Sequence, residues 1–180
     1  MNPAHNLFLI GPMGAGKSSI GRRLAARFQL EFIDLDQEIE QRTGAPVTLI
    51  FELEGEVGFR RRERELLAEF SVRHGIVLSC GGGVVLDEAN RTALTARGFV
   101  VWLDAGVEQQ LARLKRDRQR PLLATPDRRA RLESLAAERN PLYAACADLR
   151  VASVDASSPA HALHGIAAAI DAAWQREVTA

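Results

Sequence analysis

Leu7-Phe8-Leu9-Ile10-Gly11-Pro12-Met13-Gly14-Ala15-Gly16-Lys17-Ser18 starts as an apolar run and ends as a full match to G-x-x-x-x-G-K-[ST]. The run ahead of the loop reads as a buried strand. The residues behind it read as a helix, because Ile20, Leu24 and Phe28 recur four apart while Arg22, Arg23 and Arg27 fall largely on the other face. Strand, glycine loop and helix in this order are the context the motif requires. The glycines let backbone N–H groups turn inward around phosphate oxygens, and the helix N-terminus adds positive partial charge at the same point. Lys17 is expected to reach the β- and γ-phosphates of a nucleoside triphosphate, and the Ser18 hydroxyl a magnesium ion. Ser19 reads as a first-turn helix residue and Gly21 as a point of close helix packing.

Outward from this unit the same alternation continues. Short apolar runs at Leu7–Ile10, Glu31–Asp34, Gly75–Ser79, Phe99–Leu103 and Asp148–Ala152 give five candidate strands. Helix-period segments lie between and after them: Glu52–Phe70, Glu88–Arg97, Val107–Arg116, Arg128–Glu138 and an alanine-rich Ala160–Trp174. Gly55 and Gly58 blur the start of the first of these. This pattern is that of βαβ units forming a largely parallel sheet covered on both faces. Asp117–Asp127 interrupts it with three charges before Pro121 and a second proline at 126, which reads as a mobile loop of the length that often serves as a lid.

The 180 residues suit a single domain that buries about two thirds of its unfolded surface. The 23 basic and 23 acidic side chains cancel, so no net field draws the chain to nucleic acid or an anionic membrane, and neither is expected as a partner. Cys80 and Cys146 are far apart and form no Cys-x-x-Cys pair, which suggests two buried thiols in a reducing compartment. The first residues show no secretion signal, and no apolar run approaches the roughly 20 residues of a membrane-spanning helix. Cytoplasmic residence is the expectation.

Three features beyond the loop carry chemistry. Asp34 and Asp36 are read at the carboxyl end of the second strand, two apart and so on one side of the pleat, where one carboxylate serves a magnesium ion and the other a hydroxyl acceptor. The competing reading makes Asp36 the N-cap of a helix beginning at Gln37. Gly81-Gly82-Gly83 after the third strand either admits a small ligand to the backbone or simply makes a tight turn. Among many arginines, the charges of Arg60-Arg61-Arg62-Glu63-Arg64-Glu65 read mostly as a solvated helix face. Arg118, Arg120, Arg128 and Arg129 lie where they can close over a triphosphate, and Arg139 precedes Asn140-Pro141-Leu142-Tyr143.

In order along the chain, Gly11–Ser18, Asp34-x-Asp36, Gly55-Glu56-x-Gly58-Phe59-Arg60, Gly81–Gly83, Arg120-Pro121-Leu122-Leu123 and Arg139–Tyr143 resemble the bacterial type of the shikimate kinase family over nearly the whole length. The resemblance implies an α/β, nucleoside-monophosphate-kinase-like P-loop fold in three layers: a five-stranded parallel sheet flanked by helices, with a mobile lid. It places the lid at about 113–128 and a substrate-binding region at about 34–62. It implies ATP held by Gly14, Ala15, Gly16, Lys17, Ser18, Ser19 and Arg120, and shikimate held by Asp36, Arg60, Gly82 and Arg139. Mg²⁺ falls to Ser18 directly and Asp34 through water, catalysis to Lys17, Asp36 and Arg120, and the pocket wall to Phe59 and Phe51. The implied reaction moves the γ-phosphoryl group of ATP to the 3-hydroxyl of shikimate; a monomer is the expected state. The chain departs from the pattern at Ala152-Ser153, where many members carry a basic residue near the adenine. Competing readings are a kinase for another polyol acid such as gluconate, and a nucleotide switch, against which stands the lack of Asn-Lys-x-Asp.

Overall fold

A computed structural model describes residues 5–115, 117, 121–153 and 159–174, without the side chains of 159–162. Strand β1 (Leu7–Ile10) runs into helix α1 (Lys17–Phe28), followed by β2 (Glu31–Asp34), α2 (Leu35–Thr43) and α3 (Val47–Ser71). Then come β3 (Ile76–Ser79), α4 (Glu88–Arg97), β4 (Phe99–Asp104), α5 (Val107–Leu114), α6 (Arg128–Cys146), β5 (Leu149–Ala152) and α7 (Pro159–Ala173). The strands form one parallel sheet in the order β2-β3-β1-β4-β5. The expected fold is the one observed.

Every side chain of β1 is fully buried, which is why that strand reads as a continuous apolar run and not as an alternation. Phe8 and Ile10 pack with Ile33, Leu78 and Trp102 into the core shared with α3, α4 and Tyr143 of α6. Leu7 and Leu9 point the other way, into a core closed by Leu24 and Phe28 of α1 and Ile166 and Ile170 of α7. These two cores are the reason for three layers. Gly21 on α1 is small for the expected reason, since a Cβ there would stand 2.6 Å from the Phe32 ring. Cys80 and Cys146 are both buried free thiols.

Three segments depart most from the expected bounds. Helix α3 starts at Val47, earlier than the sequence suggests, and is broken at Gly55 (φ 67°, ψ −176°), so both its parts line the site, with Phe51 of the first packed on Phe59 of the second at 4.8 Å between ring centres. Helix α6 continues through Pro141 to Cys146. The carbonyl that loses its donor there belongs to exposed Ala137, where water can replace the bond, while Tyr143 and Cys146 bury on the far side. The stretch read as a bare loop contains a 3₁₀ turn at Pro121–Leu123, anchored by Leu123 packing on Leu114 and Leu132. Among the described residues no helix is long and apolar enough to cross a membrane.

Candidate active site

The carboxyl ends of β1, β2 and β3 converge on one cleft, the general place for ligands in open parallel sheets. At the end of β1, Gly14 and Gly16 take left-handed conformations (φ 75° and 86°), and Gly16 caps α1, whose N-terminal N–H groups face the loop. Lys17 Nζ donates to the carbonyls of Gly11 and Pro12, each at 2.8 Å, which sets its charge over the loop. Ser18 Oγ donates to Asp34 Oδ2 at 2.5 Å and lies 3.5 Å from Ser79 Oγ. Ser79 was not singled out in the sequence, and nothing local distinguishes it from any strand serine. Ser19 is exposed on the first turn of α1.

The two aspartates differ from their sequence reading. Asp34, not Asp36, is the cap: its Oδ1 accepts from the N–H groups of Asp36 and Gln37 at 3.1 and 3.3 Å, and α2 begins at Leu35. Asp36 therefore sits on the first helical turn and not on a strand pleat, because a helix started by an Asp cap leaves no room for two more extended residues. Both carboxylates nevertheless line the same cavity.

That cavity, of about 570 Å³, brings together Ser18, Asp34, Asp36, Arg60, Gly82 and Arg139, with Phe51 and Phe59 in its wall. Arg60 donates to Glu63 Oε2 at 2.7 Å and to Glu56 Oε1 at 3.0 Å, and lies over the Phe59 ring. Burial pulls its pKa down, but Glu63 and Glu56 more than offset this and raise it. Arg139 is only 4% exposed, and its Nε has no hydrogen-bond partner. Its nearest acid is the exposed Glu138, at 3.7 Å. A buried guanidinium so poorly matched by its own chain is suited to an anionic ligand. Tyr143, the next turn of α6, donates its hydroxyl to the Gly82 carbonyl, and burial raises its pKa.

The glycine triplet has a third explanation. A Cβ on Gly81 would stand 2.5 Å from Glu63 Oε1, and one on Gly83 would overlap the Arg60 guanidinium, so these two glycines make room for the protein's own charges. Gly82 alone has ordinary space at that position and faces the cavity. Glu63, read as part of a solvated face, is fully buried. A signal existed: Phe59, Leu66, Leu67 and Phe70 make a helical stripe, and position 63 falls within it.

Of the arginines expected over the triphosphate, Arg118 and Arg120 lie outside the described residues. Arg128 instead donates to the carbonyls of Leu114 and Asp117, and Arg129 pairs with Glu108, because the helix they start points them back at α5. Arg113, which the sequence did not single out, donates to the Gly14 carbonyl at 2.7 Å and to Ser153 Oγ at 2.6 Å. Ser153 Oγ in turn donates to the Ala15 carbonyl at 2.8 Å, tying the end of β5 to the phosphate loop.

A hydroxyl and a carboxylate oxygen side by side, Ser18 and Asp34, are hard donors that fit Mg²⁺, which takes few protein ligands and completes its shell with phosphate and water. Among the described residues no group of three or more His, Cys, Asp or Glu is arranged to hold a metal.

Residues 13–171 match the family model described as shikimate kinase. The chain belongs to the shikimate kinase family. Within it, the shikimate kinase of Stenotrophomonas maltophilia (strain R551-3) is 51% identical over 177 residues, 98% of each chain. That of Colwellia psychrerythraea (strain 34H) is 54% identical over 159 residues, 88% of this chain and 92% of its own. The structure of the shikimate kinase from Acinetobacter baumannii, in complex with shikimate, is 43% identical with a TM-score of 0.87, covering 93% of this chain and 90% of that one.

Proposed function

We propose that this chain transfers the γ-phosphoryl group of ATP to the 3-hydroxyl of shikimate, giving shikimate 3-phosphate and ADP for aromatic amino-acid biosynthesis. The observation that carries the reading is the buried, poorly matched Arg139 opening into the same cavity as Arg60 and Asp36, beside the phosphate loop. Arg60 and Arg139 grip the substrate carboxylate, with Gly82 presenting backbone at close range. Asp36 orients the ring hydroxyl toward the γ-phosphate and accepts its proton as transfer proceeds.

Gly14, Ala15, Gly16, Lys17, Ser18 and Ser19 hold the triphosphate, and Lys17 stabilises charge on its terminal oxygens. Ser18 directly, and Asp34 through water, hold Mg²⁺, which when bound neutralises the β- and γ-phosphate oxygens. The segment at about 113–128 acts as the lid that excludes water and carries Arg120 to the ATP, and the region at about 34–62 receives the acceptor. A monomer in the cytoplasm is the chain's proposed state and place.

An acceptor panel tests the reading. ADP release should respond to shikimate well ahead of gluconate, quinate and nucleoside monophosphates, and an absent or indiscriminate response would overturn it.

A further inference from the structure

Glu63 is a carboxyl group that the chemistry above leaves unused. It lies one helical turn beyond Arg60, is 0% exposed, and offers Oε2 to Arg60 while Oε1 has no hydrogen-bond partner. Oε1 and Asp36 Oδ1 flank one point beneath the cavity floor, at 2.5 and 3.1 Å from where a Gly81 Cβ would be. The charged and titratable groups facing it are Arg60 on its own helix, Asp36 from α2, Arg139 and Tyr143 from α6, and Cys80 from the end of β3. Arg60 is already shared with Glu56.

We propose that binding of the substrate carboxylate by Arg60 and Arg139 is coupled to uptake of a proton from solvent by Glu63. The incoming anion engages both guanidinium groups that favour the charged form of Glu63, Arg60 and Arg139, and adds a further negative charge beside Asp36 where water is excluded. The bare Oε1 is the site at which a proton relieves that imbalance, forming an O–H bond and nothing else. Burial already pushes Glu63 up to about 6, with Arg60 opposing and Asp36 adding to the rise. The inference rests on the proposed carboxylate-binding role of the two arginines.

Because the bound state holds more protons, affinity weakens as pH rises. For a further rise of about one pK unit on binding, uptake peaks near pH 6.5 at about half a proton, and the shikimate Kd increases about fivefold from pH 6 to pH 8. Calorimetric titration of the full chain with shikimate, without nucleotide, in buffers of different ionisation enthalpy between pH 5.5 and 8.0 reads the proton number. Wild type should show the peak and lose it by pH 8. Glu63→Gln, whose amide oxygen still accepts from Arg60, should bind without uptake. No buffer dependence in wild type, or unchanged uptake in Glu63→Gln, overturns the proposal. Should that variant not fold, carboxyl-carbon NMR of wild type decides: the Glu63 midpoint must climb when shikimate is added, and a fixed midpoint refutes the coupling. No binding heat in any buffer would instead count against the proposed function.

Discussion

The phosphate loop is eight consecutive residues, Gly11 to Ser18, whereas the proposed acceptor side takes Asp36 from α2, Arg60 and Glu63 from α3, Gly82 from the turn after β3, and Arg139 from α6. The loop presents backbone dipoles and one ammonium group, fixed by glycine conformations and a helix end. The acceptor side sets formal charges, with Glu63 and Arg139 buried, against one another, and they come from three helices, α2, α3 and α6. Damage to the loop should therefore remove the chemistry for any acceptor, while damage on the other side should alter which acceptor is held, how tightly, and at what pH.

The widest test of this contrast is Lys17→Met, expected to lower kcat/KM on the order of a thousandfold through lost stabilisation of the transferring group, with weaker nucleotide binding. Steady-state kinetics and nucleotide titration together check it, and a loss confined to the shikimate KM would break the division. Asp36→Asn should cost about a hundredfold or more in kcat while the ATP affinity stays near wild type. Near-normal turnover would remove Asp36 from the reaction. For Arg139→Lys the shikimate KM should rise about tenfold or more with the ATP KM unchanged, since a point charge cannot replace a bidentate fork.

Glu63 sharpens the comparison through stability. Its folded pKa, about 6, lies above the ordinary 4.5, so its contribution is fully present below about pH 4.5 and is lost as pH climbs through 6. Between pH 4.5 and 7.5 wild type should lose about 2 kcal/mol relative to Glu63→Gln, read from urea unfolding at each pH. A constant difference would mean that Glu63 titrates normally. The smallest effect is expected from Gly83→Ala: the flexible end of Arg60 can yield to the new methyl, so the melting temperature should hardly move while the shikimate KM rises severalfold. Unchanged kinetics would show that Arg60 need not stand where it does.

The same contrast governs what was readable beforehand. Each strand matched its sequence reading to within a residue at either end, and α1 and α4 matched completely, because apolar runs, caps and glycines act over a few neighbouring residues. The acceptor side was read through family resemblance and partly misread from its residues. The residues alone put Asp36 on a pleat although Asp34 starts a helix, and Glu63 on a solvated face although its helical stripe runs inward. Arg113 and Ser79 carried no local mark.

From the linear order of residues came the parallel sheet, the phosphate loop and the helix that opens from it, since backbone conformation and hydrogen bonding there depend on near neighbours. Packing of α3 against the glycine turn and α6 set the rest: which carboxylate is dehydrated, which buried guanidinium keeps a nitrogen without a hydrogen bond, and which glycines stand aside for them. Burial and charge balance are properties of segments far apart in the chain, and they exist only once those segments meet.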